Sequence, residues 1–238
     1  MKNLPYPYSW ENRRPLIKGG VLYLPDHYQP HERDLLPPFS SLFGNTHPVH
    51  LEYCSGNGEW IVTRALETPK INWIGVEKAF DRVRKIYAKA HHNALKNLFI
   101  VAGEALLFSS EYLRDQSIDS IYVNFPDPWP KNRHAKRRLI QEPFPQELWR
   151  TLKKGGELTL VTDHLPYLNQ MQREMQKWPQ KRKDFSSYGS SHFQQLCLKK
   201  GLDIHYLHYQ RLTHLVDPGP SLPLSSPRKA PPSVTKTT

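Results

Sequence analysis

Cysteine is almost absent from this chain: there are two, Cys54 and Cys197, in 238 residues. So few, at no metal-ligand spacing, exclude a disulfide-built scaffold and a structural zinc site, and they fit a reducing compartment. Both lie in apolar surroundings and read as core residues. No run of about 18 apolar residues occurs, so no segment is expected to span a bilayer. Residues 1–10 lack the apolar core of a signal peptide, and a cytoplasmic protein is expected. The phosphate loop Gly-x-x-x-x-Gly-Lys-[Ser/Thr] is missing, which argues against a nucleotide site of that type. Acidic residues are few beside the basic ones: 22 Asp and Glu against 33 Lys and Arg, a formal charge of +11. That exceeds what solubility needs and favours a polyanionic partner, nucleic acid ahead of a membrane surface. The 12 histidines are scattered. His91 and His92 are neighbours on a predicted helix and point apart, and His205 and His208 fall on opposite faces of a predicted strand, so no metal site is expected.

What is present has a clear order. Residues 1–45 are rich in proline and aromatics and read as an arm that packs on the domain or orders on binding, with a loose leader as the alternative. From residue 46 to 212 the pattern is that of one domain. Strands are predicted at 49–53, 71–76, 98–101, 118–124, 157–162 and 203–209, and helices at 59–67, 79–96, 105–113, 141–152, 165–178 and 191–200. Strand-helix alternation of this kind specifies an α/β fold, a mostly parallel twisted sheet with helices on both faces. Residues 213–238 are Pro/Ser/Lys-rich and read as a disordered tail.

Acids gather at the predicted carboxyl edge of the sheet, where open α/β sheets bind ligands. Glu52 precedes the turn Cys54-Ser55-Gly56-Asn57-Gly58, in which Gly56 and Gly58 permit a tight bend and close approach of a ligand. Glu77 ends the second strand of the alternating region at about the distance from the glycines that suits an acid accepting from a ribose. Glu104 follows the third strand of that region and would reach an adenine amino group. Each acid taken alone is also explained as helix N-terminal stabilisation, worth about 0.3–1 kcal/mol. Together they suit a ligand with a cationic end, such as the ammonium and sulfonium of S-adenosylmethionine, better than a pyrophosphate or NAD.

The stretch 124-NFPDPWPKNRHAKRR-138 follows the next strand. Pro126, Pro128 and Pro130 are expected to hold Phe125, Asp127 and Trp129 extended, which stiffens the loop. Asn124 and Asp127 would stand at the sheet edge, and Phe125 and Trp129 would offer faces for a base, worth about 1–3 kcal/mol each. Lys131, Arg133, Lys136, Arg137 and Arg138 would supply phosphate contacts.

This stretch resembles the signature of the bacterial-type tRNA (guanine-N7-)-methyltransferases, and the likeness runs from about Leu51 to Gly201. The resemblance implies a Rossmann-like class I methyltransferase that moves a methyl group from S-adenosylmethionine to N7 of a guanine in the variable loop of tRNA. It implies that Glu52, Glu77, Glu104 and Asp127 line the cofactor site, with Asp127 catalytic. It further implies that Lys131 and Asp163 contact the substrate and that the Arg133–Arg138 segment, with Lys136 and Arg137, contacts tRNA. Three departures stand out. Cys54 replaces the first glycine of the family's Gly-x-Gly-x-Gly, Glu104 replaces an aspartate, and Ser186-Ser187-Tyr188-Gly189 replaces Thr-x-Tyr-Glu. Ser186 would keep the hydroxyl contact, whereas Gly189 brings no carboxylate. These departures motivate a second expectation, an RNA-binding protein on a methyltransferase scaffold with impaired turnover.

Overall fold

In the computed structural model, which describes residues 4–7, 14–25, 36–186, 188–189 and 191–212, the predicted alternation is realised. In chain order the elements are β1 (Leu16–Lys18), β2 (Val21–Tyr23), α1 (Phe39–Phe43), β3 (Val49–Tyr53), α2 (Glu59–Glu67), β4 (Asn72–Glu77), α3 (Phe80–His92), β5 (Leu98–Ala102), α4 (Ala105–Tyr112), β6 (Ile118–Asn124), α5 (Phe144–Thr151), β7 (Leu152–Thr162), α6 (Leu165–Glu174), α7 (His192–Lys199) and β8 (His205–Gln210). A 3-10 helix, Asn132–Arg137, carries the basic run.

The eight strands form one sheet in the order β1-β2-β5-β4-β3-β6-β7-β8. Strands β2 through β7 in that order pair in parallel, and only the outer pairs β1–β2 and β7–β8 are antiparallel. Central strands of a parallel sheet are covered on both faces, which is why β3 and β4 read as nearly continuous buried runs. The chain winds outward from β3 to β5 and then returns to place β6 on the other side of β3. The loops after β3 and β6 therefore flank a crevice where the strand order reverses.

Each face has its own core. On one side Ile61 and Trp60 from α2 meet Val83 and Ile86 from α3 over Val21, Tyr23, Trp73 and Ile100. On the other, Phe108, Phe144, Leu148, Tyr167 and Met171 from α4, α5 and α6 cover Leu51, Tyr53, Ile121 and Leu158. Ile61 and Ile86 are fully buried, each stabilising the fold by about 1.5–3 kcal/mol relative to exposure.

Of the readings of residues 1–45, the described part fits an arm that packs on the domain. Leu16–Lys18 and Val21–Tyr23 form a hairpin that joins the sheet beside β5, and Leu4 is buried. Tyr6 packs edge-on against Phe80 of α3, ring centroids 5.0 Å apart. The described part of the arm thus belongs to the domain. The predicted tail, 213–238, lies outside the described residues. Several helices are shorter than predicted. α3 stops at His92 because Ala94 turns left-handed at φ 51°, and α5 starts at Phe144, where Pro145 occupies the first turn.

Candidate active site

Two adjoining hollows of about 500 and 540 Å³ open at the carboxyl edge of the sheet. Cys54, Arg82, Phe125 and Asp127 line both and form the wall they share. The first hollow runs from Glu52 and the β3–α2 turn to Asp163, Ser191 and Phe193. The second takes in Glu77, Glu104, Trp129 and the basic run Lys136, Arg137 and Arg138.

The acids of three adjacent strands lie at this edge, Glu52 on the first hollow and Glu77 and Glu104 on the second, each held differently. Glu52 is 1% exposed; its Oε1 accepts from Asn124 Nδ2 at 2.7 Å, while Oε2 is buried without a partner. Burial pushes its carboxyl up to about 7. The Asn124 amide is in turn fixed by Tyr188, whose hydroxyl donates to Oδ1 at 2.7 Å. Glu77 Oε2 accepts from the Gly56 N–H and Oε1 from the Ala79 N–H, both at 2.8 Å, so this carboxylate ties the β3–α2 turn to β4. Its burial raises the carboxyl from its usual range, partly offset by these bonds and Arg82. Glu104 caps α4, accepting from the Leu107 N–H at 2.9 Å, so the helix-stabilising role weighed for it is realised beside its place in the cleft.

The β3–α2 turn follows from two backbone positions. Gly58 has φ 80°, and a Cβ there would stand 2.8 Å from Ile86 Cγ1 on α3. Cys54, at the position of the missing glycine, takes the left-handed φ of 62° itself. Burial pushes its thiol well above the usual value, so it adds no negative charge to the site.

The loop after β6 differs from expectation. Phe125 and Trp129 are not extended but left-handed, at φ 48° and 41°. Contacts outside the loop impose this: the Phe125 N–H donates to Val161 O at 2.9 Å, and Arg138 Nε donates to Pro128 O at 2.7 Å. Asp127, between these held ends, is exposed to the cleft. The aromatic faces are partly taken as well, since Phe125 packs on Phe193 with ring centroids 5.1 Å apart and Arg137 covers Trp129 at 5.0 Å. Lys131, Arg133, Lys136 and Arg137 are exposed around this loop, but Arg138 is not. It is 8% exposed; it lines the second hollow, but its guanidinium is bonded to Pro128 O, Trp129 O and Gln170 Oε1.

Ser186 is also corrected. Its hydroxyl donates to Asp184 Oδ2 at 2.8 Å on an exposed segment, and it is not among the residues lining either hollow. A serine that does line the first hollow is Ser191, which caps α7 by accepting from the Gln194 N–H at 3.1 Å. Sequence reasoning missed it, although Ser-x-x-Gln ahead of a predicted helix is a capping pattern. Gly189 has the left-handed φ of 81°, so a side chain there would be strained, and its Cβ would have to push aside the end of the flexible Arg64 side chain. Asp163 lines the first hollow with Asp127 and accepts from the Cys197 thiol at 3.5 Å. Among the described residues no group of three or more His, Cys, Asp or Glu is placed to hold a metal ion, and no helix is long and apolar enough to cross a membrane.

A doubly wound sheet with a switch-point cleft, acids at three adjacent strand ends and an Asp-bearing loop after β6 defines a Rossmann-like class I methyltransferase. Its fold is similar to that of an antibiotic-related methyltransferase (17% identity, TM-score 0.56, covering 82% of this chain and 99% of that one). The 16S rRNA methyltransferase KamB is similar too (14%, TM-score 0.55, 73% and 92%). The family model for putative methyltransferases matches residues 46–195. The tRNA (guanine-N(7)-)-methyltransferase of Chlamydia caviae is 43% identical over 87% of this chain and 96% of its own length. That of Chlamydia trachomatis serovar D is 45% identical over 85% and 94%, and that of Syntrophotalea carbinolica 32% over 76% and 82%. The chain belongs to the tRNA (guanine-N(7)-)-methyltransferase family.

Proposed function

We propose that this protein transfers the methyl group of S-adenosylmethionine to N7 of a guanine in the variable loop of tRNA, with Asp127 at the reacting centre. The observation that carries this reading is Asp127 on the wall shared by the two hollows, within one cleft with Glu52, Glu77 and Asp163. The donor fits the residues present. Its ammonium matches the unpartnered, buried Oε2 of Glu52, and its ribose and adenine match the side of the cleft lined by Glu77 and Glu104. Gly56 and Gly58 let the backbone come close to it. S-adenosylmethionine supplies an electrophilic methyl group on a sulfonium.

The chemistry suits so sparse a site. Guanine N7 already has an in-plane lone pair and no proton to lose, so alignment matters more than a general base. A bond forms from N7 to the methyl carbon as the carbon–sulfur bond breaks and its pair stays on sulfur. Positive charge then grows on the purine, and the carboxylates of Asp127 and Asp163 stabilise it. Lys131, Arg133, Lys136 and Arg137 hold tRNA phosphates, and the Ser191 hydroxyl contacts the base. Action on tRNA and two free cysteines, Cys54 and Cys197, fit a protein that works in the reducing cytoplasm.

Single-turnover kinetics test the role of Asp127. Asp127→Ala is expected to slow methyl transfer on the order of a hundredfold while tRNA affinity stays within about twofold. Equal losses in rate and affinity would contradict it.

A further inference from the structure

Arg138 is the last of the five cations after Asp127, and the sequence groups it with the tRNA contacts. Its surroundings say otherwise. The guanidinium is 8% exposed and lies over the Tyr167 ring of α6, 5.2 Å from the centroid. Nε donates to Pro128 O at 2.7 Å, and Nη2 reaches Trp129 O at 3.4 Å. Nη1 donates to Gln170 Oε1 on α6 at 2.6 Å. One planar fork therefore joins the two carbonyls that follow Asp127 to a helix of the core. The held segment needs holding: Trp129 is left-handed at φ 41°, a conformation that persists in a non-glycine residue only when its surroundings impose it. The other end is pinned by the Phe125 N–H on Val161 O.

We infer that Arg138 is a positioning residue for Asp127: it clamps the Pro128–Trp129 backbone onto α6 and so fixes the carboxylate at the reacting centre, without touching tRNA. The inference rests on the methyltransferase reading above and deepens it. Lysine carries the same charge but is a point donor on a flexible stem and cannot satisfy two carbonyls and an amide together. A misplacement of about 1 Å at a reacting group costs on the order of a hundredfold in rate.

The test compares Arg138→Lys, Arg138→Ala and Arg133→Ala with the wild type, measuring methyl transfer to tRNA, tRNA affinity and its salt dependence. Wild-type activity comes first, because its absence refutes the functional reading rather than this inference. With wild type active, Arg138→Lys is expected to lose on the order of a hundredfold in kcat with tRNA affinity and salt slope unchanged. Added guanidinium ion should restore part of the activity of Arg138→Ala. Arg133→Ala should instead weaken tRNA binding and lower the salt slope by about 0.7–0.9 log units. If Arg138→Ala does not fold, Gln170→Leu tests the same clamp from α6 and should reduce kcat without moving tRNA affinity. Full kcat in Arg138→Lys, or a loss of affinity and salt slope like that of Arg133→Ala, would overturn the inference.

Discussion

Glu52 is held in two conflicting ways. Its Oε1 is fixed by Asn124, its Oε2 has no partner, and burial raises its carboxyl to about 7. The folded value lies above the ordinary value of about 4.3, so the fold tolerates the neutral form better than the charged one. The resulting stability is full below the ordinary value and is lost as pH rises through about 7, a loss on the order of 3 kcal/mol at most. Glu52→Gln should flatten the dependence of Tm on pH across that window and raise Tm above it. Binding of S-adenosylmethionine should run the other way, strengthening as pH rises through about 7, because an ammonium needs the ionised carboxylate. Calorimetric titration at several pH values checks this, and a pH-independent affinity in the wild type would contradict it. Glu52 was legible as a cleft acid because it precedes a glycine turn. Arg138 was not legible as an inward residue, because a run of five cations carries no sign of which one turns to the core.

At the scale of elements, the parallel strands were legible because burial on both faces leaves long apolar runs. The hairpin of β1 and β2 was not foreseen. Its strands are three residues each, though Gly19-Gly20 between them is a strong turn signal. The conformation of the loop after β6 was misread for a different reason. Proline biases its predecessor toward extended backbone, and tertiary contacts from Val161 and Arg138 override that bias at Phe125 and Trp129. Ser186 was named through its match to Thr-x-Tyr-Glu, and the sequence does not show where the chain re-enters the cleft; Tyr188 reaches it by bonding Asn124. The β3–α2 turn offers a direct test of element packing. Lys89 of α3 donates to Asn57 O at 2.7 Å, and Ile86 leaves no room for a Cβ on Gly58. Gly58→Ala combines a left-handed φ with that collision and should destabilise by about 1–3 kcal/mol. Thermal denaturation would register this as a drop of several degrees in Tm; an unchanged Tm would mean that the turn and α3 are not packed as described.

Over the whole molecule, the sheet order and the charge act together. Winding outward from β3 and back to β6 puts the β3–α2 turn and the Asp127 loop on either side of one crevice. The exposed cations Lys131, Arg133, Lys136 and Arg137 stand around that loop, so a chain of formal charge +11 concentrates cations where a polyanion would meet the cleft. The function proposed for this crevice is delivery of a methyl group to N7 of one guanine. The most direct measurement incubates the purified protein with an unmodified tRNA transcript and methyl-labelled S-adenosylmethionine, then treats the RNA with borohydride and aniline, which cut at 7-methylguanine. Label in the tRNA and cleavage at a single guanine of the variable loop are expected. Labelled tRNA that resists cleavage, or tRNA that is bound but never labelled, would contradict the proposed function.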